Sequence, residues 1–148
     1  MVESDAAKPR IVVGVDSSGD SSAALAWAVD QARRCGAVLE VVTAWELPTA
    51  VGAPIPLPTG FEPAALAHAA AEEEVRAAVT GADDVQVVVT VVEGHPRGVL
   101  LDAAKDAMLL VVGRRGRSTW PALTLGSVSE ACARQAPCPV VIVNHPDA

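Results

Sequence analysis

Five short apolar runs recur along the chain, at 11–15 (IVVGV), 38–44 (VLEVVTA), 85–92 (VQVVVTVV), 108–112 (MLLVV) and 139–143 (PVVIV). Each is rich in Val and Ile and has the length of a buried strand. Between them the pattern turns from continuous to periodic. In 20–35 (DSSAALAWAVDQARRC), Ala24, Trp27, Ala28 and Ala32 fall at i, i+3, i+4 and i+8, the spacing of one helical face. Asp20, Ser21 and Ser22 offer N-cap chemistry there, and Gly36 suits the position just past the end. A second helix is predicted over 62–80, with Pro63 in the first turn, a solvated face at Glu72, Glu73, Glu74 and Arg76, and Gly81 beyond its end. Two shorter helices are predicted from Pro96 to Asp106 and from Leu125 to Gln135, the second opening on Gly-Ser and stopping before Pro137.

The order is therefore β-α-β-α-β-α-β-α-β. Strands this continuously apolar, separated by helices, predict an α/β domain with a parallel sheet covered on both faces. A length of 148 residues fits one domain, and a chain of about 150 residues buries roughly 68–70% of its unfolded surface, enough for a proper core. The composition is 51% apolar, but only Trp27, Trp45, Phe61 and Trp120 are aromatic, so the core must be built from small and β-branched side chains. No internal repeat suggests a solenoid.

One connection breaks the pattern. Residues 46–61 (ELPTAVGAPIPLPTGF) carry four prolines and two glycines and cannot form regular helix or a central strand. A loop of this length is either a functional flap or a disordered part of the connection between the second strand and second helix.

A net charge of −7 argues against broad electrostatic attraction to nucleic acid or an anionic membrane, so any phosphate must be gripped locally. No run approaches the ~18 apolar residues of a membrane span. The N-terminal MVESDAAKPR does not read as a signal peptide, and the expected compartment is the cytoplasm. The three cysteines are too few and too oddly spaced for a disulfide framework. Cys132 and Cys138 match neither a redox motif nor a zinc knuckle and read as small buried thiols.

The candidate chemistry lies at strand ends, where open α/β sheets bind ligands. The first strand delivers Asp16 in V-G-V-D-S-S. The fourth delivers Gly113, followed by Gly116, and after nine more residues Gly126 and Ser127 open the last predicted helix. Glycines at a strand exit let backbone N–H groups approach a phosphate, and a helix N-terminus points its unpaired N–H groups at negative charge. Ser127 and Ser129 can add hydroxyls beside that first turn. Neither the P-loop pattern nor the dinucleotide fingerprint is present.

The arrangement Gly113-x2-Gly116-x9-Gly126-Ser127, followed by Val128 and Ser129, resembles the ATP-binding signature of the universal stress protein family. IVVGVDSS near the start, GHP after the third strand and PCPVVIV at the end resemble that family's other hallmarks in the same order, over residues 9–144. The resemblance implies a flexible N-terminus at 1–8, one nucleotide-binding domain at 9–144 and a tail at 145–148. It also implies a Rossmann-like sheet in the order 3-2-1-4-5, with ATP across the ends of strands 1 and 4. Asp16 would lie near the ribose or adenine, and the backbone around Ala44 would meet the adenine edge. Gly113, Gly116, Gly126 and Ser127, helped by Val128 and Ser129, would hold the phosphates and ribose.

Arg114, Arg115 and Arg117 are a local feature of this sequence. They pair with phosphate or are simply solvated. His95 either reaches the nucleotide or serves only the turn, and Trp45 and Phe61 either stack on adenine or pack their loop on the core. His68 and His145 have no partner at metal-ligand spacing and read as surface residues. Mg²⁺ is expected only as a companion of ATP. Hydrolysis needs an oriented water and a base near the γ-phosphate, and no carboxylate is placed there, so at most slow ATPase activity is expected and no catalytic residue is assigned. The sequence leaves two other functions open, a cyclic-nucleotide receptor binding cAMP and an interaction module that binds no nucleotide. The last strand, 139–143, would be a sheet edge suited to pairing with a second copy, and the resemblance likewise implies a homodimer.

Overall fold

The computed structural model describes residues 7–116 and 124–145. Arg117, Trp120 and the outer parts of both termini lie outside these ranges. The elements in chain order are β1 (Arg10–Gly14), α1 (Gly19–Cys35), β2 (Val38–Trp45), β3 (Thr49–Ala50), β4 (Ala53–Pro54), α2 (Pro63–Ala78), β5 (Val87–Glu93), α3 (Pro96–Ala103), β6 (Leu109–Gly113), α4 (Ser127–Gln135) and β7 (Val140–Val143). The main sheet runs β5-β2-β1-β6-β7 with every neighbouring pair parallel. Numbered by its five long strands alone, this is the order 3-2-1-4-5 and the α/β architecture expected from the sequence.

Alternation within each strand divides the core in two. Ile11, Val13, Leu39, Val41 and Val111 face Ala24, Leu25 and Ala28 of α1 and Ala71 of α2. Val12, Val42, Leu110 and Val112 face Val99 and Leu100 of α3 and Cys132 of α4. Parallel strands covered on both faces need apolar residues at successive positions, which is why the runs read as continuous rather than alternating. Small residues on α1 let its backbone lie close to the sheet, and Ala24 and Ala28 are fully buried.

Boundaries differ from the expected ones where caps decide them. α1 is capped by Ser18, whose Oγ accepts from the Ser21 N–H at 3.2 Å, so Asp20, Ser21 and Ser22 lie inside the helix. α3 ends at Ala103 rather than Asp106. The Ala104 N–H closes back on the Leu100 carbonyl, and Asp106 turns the chain with a φ of 61°. α4 begins at Ser127, because Gly126 is extended and acts as the N-cap. Within 46–61, the structure folds Thr49–Ala50 against Ala53–Pro54 as a small antiparallel hairpin turning through Val51 and Gly52, separate from the main sheet.

Candidate nucleotide site

β1 and β6 are adjacent and parallel, so their C-terminal ends deliver Asp16 and Gly113 to the same rim. Helix α1 begins beside that rim, and its first turn packs against the end of β6. A Cβ on Gly113 would lie 2.7 Å from the Asp20 carbonyl carbon and 2.8 Å from its oxygen, so only glycine lets the two backbones meet. Beyond Gly113 the chain turns back. Asp20, only 8% exposed, accepts the Arg115 N–H on Oδ2 at 3.0 Å and fixes the turn.

The two halves of the glycine signature come together in space. The Gly126 N–H donates to the Arg114 carbonyl at 2.8 Å. A Cβ on Gly126 would stand 3.2 Å from the Arg115 Cα and 3.5 Å from the Gly116 nitrogen. The buried Ser129 donates its hydroxyl to the Arg114 carbonyl at 2.6 Å and lies 3.0 Å from the Gly126 carbonyl. The turn at 113–116 and the start of α4 thus pack together into one backbone-lined rim, a candidate cleft for a ligand, and the N–H groups of Ser127 and Val128 in the first helical turn have no partner within the helix.

Asp16 borders the same cleft. Its Oδ1 accepts from the Ser18 N–H at 3.0 Å, and its Oδ2 lies 2.6 Å from where a Gly116 Cβ would be. Ser17 holds a φ of 65°, a left-handed conformation uncommon for serine, and donates its hydroxyl to Glu74 Oε1 of α2 at 3.0 Å. Ala44 lies near the end of β2, two residues beyond the Gly14–Val42 pair, just as Asp16 lies two beyond it on β1.

The expected site residues therefore take different parts. Asp16, Gly113, Arg115, Gly116, Gly126 and Ser127 gather at one rim, with Ser127 exposed. Val128 packs its side chain on the core of the α3/α4 face, and the Ser129 hydroxyl is spent on holding the turn, so neither side chain lines the cleft. His95 caps α3, its Nδ1 accepting the Arg97 N–H at 3.2 Å. His68 pairs with Glu72 on the surface of α2 at 3.5 Å.

Two contributors were not visible in the sequence. Asp20 reads there as one of three N-cap candidates, and only the α1–β6 approach shows that it holds the glycine turn. His145, read as a surface residue, lies against the start of α1, with its Cδ2 3.2 Å from where a Gly19 Cβ would be.

A cavity of about 510 Å³ lies elsewhere, between β2, β5 and α3, lined by residues including Glu40, Thr90, Glu93, Gly98 and Asp102. Its carboxylates disfavour a polyphosphate, whereas the glycine cleft offers backbone donors. Glu40 there is held by Arg10 at 3.0 Å and by the Thr90 hydroxyl at 3.2 Å. Among the described residues no three of His, Cys, Asp and Glu converge so as to hold a metal ion, and no helix is long and apolar enough to cross a membrane. Burial pushes the Cys132 thiol up to about 11, with Cys138 beside it as a second, smaller cause.

Comparison with known proteins gives this geometry its context. The model of the universal stress protein family matches residues 9–144. The chain belongs to the universal stress protein family. Universal stress protein Rv2623 of Mycobacterium tuberculosis is 34% identical over 142 residues, covering 93% of this chain and 48% of the relative. A universal stress protein of Mycolicibacterium smegmatis is 34% identical over 134 residues, covering 90% of this chain and 45% of the relative. The chain thus spans about half the length of these curated relatives. A universal stress protein solved in complex with cAMP is 30% identical, with a TM-score of 0.66, covering 93% of this chain and 98% of that one. One from Archaeoglobus fulgidus, solved in complex with dAMP, shares the fold at 23% identity and a TM-score of 0.59, covering 91% of this chain and 97% of that one.

Proposed function

We propose that this universal stress protein binds ATP in the cleft between the 113–116 turn and the start of α4, and acts in stress response or signalling through nucleotide-dependent conformation or partner binding. The observation that carries the reading is the hydrogen bond from the Gly126 N–H to the Arg114 carbonyl, which supports reading two segments some ten residues apart as the walls of one anion-binding cleft. The backbone of Gly113, Gly116, Gly126, Ser127 and Val128 would take the phosphates, with Mg²⁺ accompanying them. Ser129 would act by holding the cleft closed, and Arg115 and Arg114 would supply charge at its rim. Asp16 would face the ribose or base, and the backbone at Ala44 the base edge. The Arg115 N–H already serves Asp20, so the grip on phosphate falls to the remaining amides. No carboxylate is assigned as a base at the γ-phosphate, and turnover is expected to be slow at most.

A second reading is favoured by one observation, the relative at 30% identity solved with cAMP. In that case the protein is a receptor or sink for the cyclic nucleotide, and the deeper phosphate grip goes unused. Titrating ATP and cAMP separately into nucleotide-free protein, wild type and Gly126→Val, separates the two. ATP binding that the substitution abolishes supports the first reading. Preference for cAMP supports the second, and no binding of either leaves an interaction module. β7 lies at one end of the sheet order, and its outer edge is proposed as the pairing surface of a homodimer in the cytoplasm. Light scattering at micromolar concentration tests it, a monomer counting against the pairing.

A further inference from the structure

We propose that segment 46–61 is a lid that closes over the base of a nucleotide held in the glycine cleft, an inference that rests on the nucleotide reading above. The segment starts beside that cleft. It leaves the sheet directly after Trp45, whose neighbour Ala44 lies two residues beyond the Gly14–Val42 pair, as Asp16 does after the adjoining strand. At the other end it runs into the start of α2, which stands about 16 Å along the helix from Glu74, where Ser17 hydrogen-bonds the helix to the Asp16 loop, so this end is free to move relative to the site. The end of β2 starts the segment on the base side of the site, with β1 between it and the glycine turn after β6.

Its chemistry suits a base and not a phosphate. From Leu47 to Phe61 there is no charged residue. Leu47, Ile55 and Phe61 are 37%, 42% and 43% exposed, and Val51 at the tip of the hairpin is fully exposed. Scattered apolar residues on a surface need no explanation, but four on one uncharged segment that starts beside the site leave apolar surface for a base to cover. The backbone is tied mainly to itself, by the Ile55 N–H to the Pro48 carbonyl at 2.9 Å and the Phe61 N–H to the Pro58 carbonyl at 3.0 Å. Gly52, with a φ of 75°, closes the hairpin turn, Gly60, with a φ of 84°, turns the chain towards α2, and the prolines keep the segment stiff. A stiff apolar flap loses little conformational entropy on closing, so contact with the flat face of a base can hold it.

Hydrogen–deuterium exchange on the full chain tests the lid, with ATP and with inorganic tripolyphosphate, which carries the phosphates without a base. The amides of 47–61 are expected to exchange about tenfold more slowly with saturating ATP and at an unchanged rate with tripolyphosphate. The triple variant Val51→Ser, Ile55→Ser, Phe61→Ser alters only exposed side chains and should fold normally. It should release ATP about tenfold faster while its affinity for tripolyphosphate is unchanged. ATP binding without protection of 47–61, or equal weakening of both ligands in the variant, overturns the lid and leaves the nucleotide reading standing. Absence of ATP binding by the wild type overturns both.

Discussion

Gly113→Ala puts the most direct strain on the site, because the added methyl meets backbone on a helix that cannot move freely. The new Cβ would lie 2.7, 2.8 and 2.9 Å from the carbonyl carbon, carbonyl oxygen and Cβ of Asp20. The closest of these is about 0.7 Å short of ordinary van der Waals contact, so the start of α1 must withdraw from the end of β6. The same withdrawal stretches the Asp20–Arg115 N–H hydrogen bond, now 3.0 Å, beyond useful length. Overpacking costs about 1–3 kcal/mol, and losing a hydrogen bond to a charged acceptor costs about 1.5–3 kcal/mol. The two effects share one displacement and do not simply add, so about 3 kcal/mol is expected, or about 6–12 °C in Tm at ~2–4 °C per kcal/mol for a chain of this size. Thermal unfolding followed by circular dichroism measures it, and an Asp20→Ala, Gly113→Ala cycle should be less than additive. A Gly113→Ala protein melting within about 1 °C of wild type would refute the close α1–β6 approach.

Gly98→Ala should do the opposite, because its Cβ would meet nothing within 4 Å and the position lies inside α3; a gain of about 0.5–1 kcal/mol in urea unfolding is expected. Ser129→Ala removes the hydroxyl that holds the Arg114 carbonyl, and should cost about 1–2 kcal/mol and weaken ATP binding together, read by melting and calorimetry. Native protein should react quickly with a thiol reagent at Cys35 alone, which is exposed, and denatured protein at all three cysteines. Cys132 keeps its proton in the fold up to about 11 against an ordinary value of 9.0, so its contribution is complete below about 9 and is lost as pH rises towards 11. Urea midpoints should fall across that window, and Cys132→Ala should flatten the decline.

The sheet was legible because its cause is local. The central strands β1 and β6 are buried on two faces and must be apolar throughout, so IVVGV and MLLVV announce themselves without knowledge of their partners. Helix ends were less legible, since Ser18 caps α1 through a geometry that Asp20, Ser21 and Ser22 could equally have supplied. At the site, the glycines were readable as a pattern, but their reasons lie in contacts between distant segments. Gly113 yields to the α1 backbone, Gly116 to the Asp16 carboxylate and Gly126 to the neighbouring turn. The role of Asp20 was hidden for the same reason: in sequence it offers a cap for α1, and only the crossing of α1 over β6 brings its carboxylate to the Arg115 N–H. The hairpin inside 46–61 is held by a few backbone bonds around Gly52, too little for a pattern of two-residue strands to reveal.

The central claim is that nucleotide enters the glycine cleft, and amide chemical-shift mapping of labelled protein during an ATP titration tests it directly. Saturable shifts are expected at Gly113, Arg115, Gly116, Gly126, Ser127 and Val128, with Asp16 and Ala44 following. Shifts confined to the cavity around Glu40, Thr90, Gly98 and Asp102, or no shifts at all, would contradict it.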